Sequence, residues 1–318
     1  MYVATLMAPH GGRKIGSDVV QTLRAGLNAT SVRVLAAAQA YDFVMDRPVA
    51  GFDGFWRALQ RMGFDLTCQP VQNRRKRVLL ADMDSTMIVQ ECIDELAAEA
   101  GVAARVADIT ARAMAGEMDF ETALRARVGL LQGLPVGAID KVLAERISTA
   151  PGARELVATM RANGAYCALV SGGFTAFTAA IAGKLGFHEH RANRLLAAGG
   201  KLTGAPDTPI LGRQAKVDAL LDICATHNLV PADVLAIGDG ANDLGMLRRA
   251  GSGVAVHAKP VVAARVSLRL NHTDLRGALW LQGYRAEEVI SRVRPGRSAD
   301  QARPLPPDRD HSKRSSRP

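Results

Sequence analysis

Four aspartates stand where two apolar runs end. Val78–Ala81 leads into Asp82-Met83-Asp84-Ser85-Thr86, and residues 234–237 lead into Gly238-Asp239-Gly240-Ala241-Asn242-Asp243. If the first segment stays extended, alternation of side chains with period 2 points Asp82 and Asp84 to one side. Adding Asp239 and Asp243 to the same volume concentrates negative charge that calls for a cation. An all-oxygen donor set without His or Cys selects a hard ion, with Mg²⁺ expected. A third run, residues 165–170, leads into Ser171-Gly172-Gly173, whose backbone N–H groups can approach an anion at a helix N-terminus. Lys216, ahead of an amphipathic helix over residues 217–224, is placed to bring positive charge to that anion. Taken singly, each feature has a plainer reading: Asp and Ser are turn formers, Asp-Gly is a hairpin signal, and a lone lysine is ordinarily solvated. The combination is specific because the acidic and glycine motifs each close an apolar run of one inferred sheet.

The elements that must position these residues follow from periodicity. The three runs, with a fourth over residues 253–256, are continuously apolar, as expected of parallel strands buried on both faces. A doubly wound α/β sheet is predicted, with ligands gathering at the carboxyl ends of its strands. Residues 89–150 read as helices without a convincing strand, a helical cap insertion standing over the sheet as lids do. Residues 1–73 differ. Short β-like runs alternate there with two amphipathic helices in the order βαββαβ, a small α+β unit with both helices on one face. By topology it resembles an ACT-like module, and two roles stay open: an amino-acid sensor, or a structural or dimerising domain that makes a homodimer. The basic segment 73–77 reads as a linker to the larger unit, residues 74–290.

The motifs together resemble those of the haloacid-dehalogenase superfamily of phosphatases and, within it, the phosphoserine phosphatases. The superfamily marks are DMDST at 82–86, SGG at 171–173, Lys216 and GDGAND at 238–243. Closer marks are ECIDELA at 91–97, DFETALRARVGLLQGLP at 119–135, SGGF at 171–174 and HAKP at 257–260. They span about residues 77–284. Lys216 lies in a context with little signal of its own, and the chain beyond about residue 290 matches nothing in the family pattern.

The resemblance implies a Mg²⁺-dependent phosphoric monoester hydrolase acting on phosphoserine in the final step of serine biosynthesis. It assigns Asp82 as the nucleophile that becomes an aspartyl phosphate, and Asp84 as general acid and then base. It gives the metal to the Asp82 carboxylate, the Asp84 main-chain carbonyl and Asp239, with Asp243 close by. Ser171, Gly172 and Lys216 go to the phosphoryl oxygens, and Asn242 to ordering the site. Arg127 lies on the apolar stripe of residues 119–131, where a packed arginine stem with a solvated head is one reading. The resemblance sets its fork on the substrate carboxylate. Glu91, which also suits a helix N-terminus, becomes the partner of the substrate ammonium. A phosphotransferase passing the group from Asp82 to a small alcohol such as homoserine is the alternative on the same scaffold. A receiver-type signalling protein is a further one, against which Asp84, Lys216 and the insertion argue.

Composition narrows the partners. The net charge of +9 suggests nucleic acid only if it lies on a folded face, yet residues 291–318 carry eight Lys/Arg against three Asp, more than half of the excess. That stretch is rich in proline and without periodicity, and is expected to be a disordered, solvated tail, with no nucleic-acid partner. The four cysteines are dispersed and are expected to be reduced core residues. With neither a run of about 20 apolar residues nor a signal segment, no membrane association and a cytoplasmic location are expected.

Overall fold

A computed structural model describes residues 1–114 and 117–291; the expected tail at 291–318 lies, beyond its first residue, outside them. The chain begins β1 (Tyr2–Met7), α1 (Ser17–Gly26), β2 (Ser31–Ala36), β3 (Ala40–Met45), α2 (Phe52–Arg61) and β4 (Asp65–Pro70), the expected βαββαβ order. These strands form an antiparallel sheet in the order β2-β3-β1-β4. Period-2 alternation gives β1 two buried faces. Ala4 and Leu6 pack with Phe43, Leu66, Leu23 and Leu59 under the two helices, while Thr5 pairs with Asp42 on the opposite face.

The second sheet holds six parallel strands in the order β12-β11-β10-β5-β6-β7. They are β5 (Val78–Ala81), β6 (Tyr166–Phe174), β7 (Glu189–Asn193), β10 (Val234–Gly238), β11 (Ser252–Val256) and β12 (Leu268–Leu270). Alternate residues of β5 serve two cores. Leu79 and Ala81 join the cluster containing Leu156, Phe177 and Leu279, and Val78 and Leu80 the one containing Leu220, Ile223 and Leu247. Those layers come from α7 (Ala153–Ala162), α8 (Thr175–Leu185) and α12 (Gly277–Leu281) on one side, and α9 (Arg213–Thr226) and α10 (Leu244–Arg249) on the other. The chain leaves β5 toward β6 and later returns to β10 on its other flank. The crevice between β5 and β10 is therefore a topological switch point, where such sheets bind ligands.

Between β5 and β6 stand α3 (Cys92–Glu99), α4 (Ala103–Met114), α5 (Phe120–Gly129) and α6 (Gly137–Glu145), the expected helical insertion. Its two stems meet at an isolated bridge between Ile88 and Thr149. Four strands have no sequence signal, the three-residue β12 among them. β7 reads Glu-His-Arg-Ala-Asn, too polar for the apolar rule, because it is the edge of the sheet. A hairpin of β8 (Leu195–Ala198) and β9 (Lys201–Pro206) turns at Gly199-Gly200 and pairs with the chain after α5, Gly133 N donating to Leu202 O at 2.9 Å. All four cysteines are free, three of them buried. No helix among the described residues is long and apolar enough to cross a membrane.

Candidate active site

The carboxyl ends of β5, β6 and β10 bring Asp82, Asp84, Ser171, Lys216, Asp239 and Asp243 together, at the switch point. Lys216 departs from one expectation. It lies inside α9, in its first turn, because that helix starts at Arg213 rather than at residue 217. Its burial sets aside the plainer reading of a solvated lysine. Its Nζ sits 2.6 Å from Asp82 Oδ1 and 2.6 Å from Asp243 Oδ1. Burial opposes its charge, but Asp243 and then Asp82 outweigh that and raise its pKa.

Carboxylate oxygens of Asp82, Asp239 and Asp243 lie within 4.8 Å of one another. Asp243 is fully engaged: Oδ1 takes Lys216, and Oδ2 accepts the Asp239 and Gly240 amides at 3.1 and 2.9 Å. Gly238 makes room for it, since a Cβ there would meet the Asp243 carboxyl carbon at 2.5 Å. Thr86 Oγ1 donates to Asp239 Oδ1 at 3.0 Å. Asp82 Oδ1 is buried, and the Lys216 ammonium, off the ideal hydrogen-bond angle, is its one polar contact among the described residues. A buried carboxylate oxygen with lone-pair capacity to spare, among all-oxygen donors, fits a bound metal cation. Without one, burial and then Asp243 push Asp82 well above the usual carboxylate range, and the same causes with Glu91 bring Asp239 to about 6. A cation would reverse both shifts.

Asp84, next to this cluster, bonds to other partners. Its Oδ1 accepts the Cys92 amide at 2.9 Å and its Oδ2 the Ser171 hydroxyl at 3.2 Å. Burial, then the charge of Glu91, raises its pKa against those two hydrogen bonds. The glycines after Ser171 lie just ahead of a helix N-terminus, still within the strand. β6 runs on through Gly172 and Gly173 to Phe174, and α8 starts only at Thr175. A Cβ on Gly173 would stand 2.6 Å from Asp84 Oδ2, too close without a shift, and one on Gly172 would stand 3.1 Å from the Phe120 ring of the insertion, a tight approach. Asn193, which no sequence signal marked, is buried at the end of β7. It ties the Gly172 carbonyl (2.8 Å) to the Leu211 amide (2.7 Å).

The insertion carries the remaining candidates. Glu91 precedes α3 and accepts the Ser85 hydroxyl at 2.8 Å. On α5, capped by Asp119 accepting from Thr122 N, Ala123, Leu124 and Val128 are buried. Arg127 lies on that side and is half-buried, with Nε donating to the Ala123 carbonyl at 3.3 Å. Burial lowers its pKa, opposed by the charges of Asp94 and Glu91. Arg125 points to solvent, paired with Glu121. Asn242 is half-buried in the loop after β10, where a Cβ on Gly240 would meet its Oδ1 at 2.3 Å.

The signature of haloacid dehalogenase-like hydrolases matches residues 79–248. A phosphoserine phosphatase of Streptomyces coelicolor is 43% identical over 219 residues, 69% of this chain and 53% of that protein, so the match spans about half of that relative's length. Among solved structures, a haloacid dehalogenase family hydrolase of Salmonella enterica subsp. enterica serovar Typhi superposes with a TM-score of 0.77 at 29% identity, covering 88% of this chain and 98% of that one. A phosphoserine phosphatase solved as a phospho-aspartyl intermediate analogue superposes with a TM-score of 0.61 at 40% identity, covering 64% and 98%.

Proposed function

The chain belongs to the haloacid dehalogenase-like hydrolase family, and from that premise we propose that it hydrolyses phosphoserine to serine and phosphate through an aspartyl phosphate on Asp82. One observation carries this reading. A buried, poorly satisfied Asp82 oxygen beside Lys216 adjoins a second carboxyl, Asp84, whose surroundings favour its protonated form.

In this mechanism an Asp82 oxygen attacks phosphorus as the P–O bond to the serine side chain breaks. Asp84 gives its proton to the departing alkoxide. Asp84 then takes a proton from water as that water attacks the phosphoryl group, releasing phosphate and regenerating Asp82. Lys216, the Ser171 hydroxyl and the Gly172 amide stabilise the phosphoryl oxygens, and Asn242 orders the loop that faces them. The residues that would hold Mg²⁺ are Asp82, Asp239 and the Asp84 main chain, with Asp243 behind them holding Lys216. The ion supplies neutralising charge to the phosphoryl group. Exhaustive chelation is expected to abolish phosphate release and Mg²⁺ to restore it; full activity in the chelated enzyme would refute the assignment.

The substrate's two remaining charges are matched by the insertion, Arg127 taking the carboxylate and Glu91 the ammonium. Phe120, against Gly172, closes the lid over the phosphoryl end. Arg127→Met keeps an unbranched stem and is the test. Losing a charge-assisted hydrogen bond costs about 1.5–3 kcal/mol, so kcat/KM for phosphoserine should fall roughly 10- to 150-fold. Hydrolysis of p-nitrophenyl phosphate, which has no carboxylate, should hardly change. An equal fall on both substrates would indicate a packing or lid defect, and no fall on phosphoserine would remove Arg127 from the substrate site.

Within this reading, residues 1–73 are an ACT-like module and 74–290 the phosphatase core with its cap at about 89–150. The small charged substrate and product suit a cytoplasmic enzyme, and the ACT-like module is the natural place for a homodimer contact.

A further inference from the structure

Asp65 opens β4 in the N-terminal sheet and is fully buried. Its carboxylate is held by successive amides of the segment after β12. Oδ1 accepts from Asn271 N at 3.0 Å, and Oδ2 from His272 N at 3.0 Å and Thr273 N at 2.8 Å. Gln60 closes the clamp, its Nε2 donating to Asp65 Oδ1 at 3.2 Å and its Oε1 accepting from the Asn271 side chain at 2.7 Å. Three amides on one buried carboxylate make this loop conformation costly to leave, since each would lose a charge-assisted partner.

The clamped segment reaches the active site by two short routes. Leu270 O accepts from His257 N at 2.8 Å, and Asn271 O lies 3.1 Å from His257 Nδ1. His257 has φ +44°, a left-handed conformation that a non-glycine residue holds only where its surroundings enforce it. Two residues on, Lys259 N donates to Asp239 O at 3.2 Å. Along the other route, Leu275 N donates to Pro151 O at 3.1 Å, next to the bridge of Ile88 and Thr149 where the insertion rejoins the core.

We propose that Asp65 is a positioning residue for the phosphoryl chemistry: by clamping residues 271–273 it fixes the turn 257–259 that backs Asp239. The N-terminal unit is then a working part of the site. This rests on the reading of Asp239 as a metal ligand. A simple docking role is the competing account, and Gln69 separates the two. Gln69 Nε2 ties the same sheet to Leu281 O at 2.6 Å without touching the clamped loop.

Asp65→Asn and Gln69→Ala should be compared by hydrogen exchange, Mg²⁺ binding calorimetry and kinetics, well below both melting temperatures. In Asp65→Asn the amides of His257 and Lys259 should exchange at least about tenfold faster than in the parent. Mg²⁺ affinity and kcat for p-nitrophenyl phosphate should each fall about tenfold, within the range by which an ~1 Å misplacement slows an enzyme. KM for phosphoserine should stay within about twofold, because the insertion's side chains are untouched. Gln69→Ala should lower the melting temperature and leave exchange at 257–259, Mg²⁺ affinity and kcat unchanged. The proposal is overturned if Asp65→Asn merely loses stability, with parental exchange at 257–259. Should Asp65→Asn not fold, Gln60→Ala loosens the same clamp from the half-buried side and must raise exchange at His257, or the proposal fails. The exchange result does not depend on the substrate, so a parent protein without Mg²⁺-dependent turnover would count against the phosphatase reading alone.

Discussion

Asp82→Asn should abolish phosphate release, with a loss of at least about 10⁴-fold in kcat, the scale seen when a covalent nucleophile is removed. The amide has the same shape but lacks the electron pair that attacks phosphorus, and it is a weaker ligand for a hard cation. The protein should remain folded. The amide fills the same space, and Lys216 keeps a carboxylate partner in Asp243. Thermal melting in chelator should therefore show no large loss. Turnover within tenfold of the parent would sink the covalent mechanism, whatever the melting curve shows.

Lys216→Met should be the most destabilising single change in the site. Its ammonium lies between two buried carboxylates, each 2.6 Å away. Removing one member of a buried charge cluster costs about 3–5 kcal/mol, because the remaining charges lose their compensation. A fall on the order of 10 °C in melting temperature is expected in chelator. Mg²⁺ should recover part of it by neutralising the same carboxylates. Combining Lys216→Met with Asp82→Asn should cost less than the two changes taken separately, since the double variant buries one negative charge fewer. Activity should fall by about 10²- to 10³-fold even with saturating Mg²⁺, as a charged partner of the phosphoryl oxygens is gone. Unchanged melting in chelator would mean that the ammonium is not what holds these carboxylates together.

Much of the site was legible in the sequence because its signals are local. Asp82, Asp84, Ser171 and Asp239 each follow directly on an apolar run, and in a parallel sheet the end of a buried strand is where ligands gather, so strand periodicity located the chemistry. Arg127 fell on the inner side of α5 by helical spacing alone. The parts that were not legible depend on neighbours distant in the chain. Lys216 carries little signal in its own sequence context, and it is α9 that sets it between Asp82 and Asp243, 134 and 27 positions away in the sequence. Gly172 and Gly173 read as amides that approach an anion, and only tertiary packing adds that they lie in β6 with the Asp84 carboxylate and the Phe120 ring close by. Asn193 sits on an edge strand too polar to be recognised, and its value lies in bridging Gly172 to Leu211. The order βαββαβ of the first 73 residues was plain, but which face of its sheet would be buried, and against what, was not. Burial of Asp65 and Asp42 is tolerable only because amides of residues 271–273 and the Arg74 guanidinium meet them. Local periodicity determines which elements form, while the charge and hydrogen-bond balance of the assembled interior decides what each polar residue does.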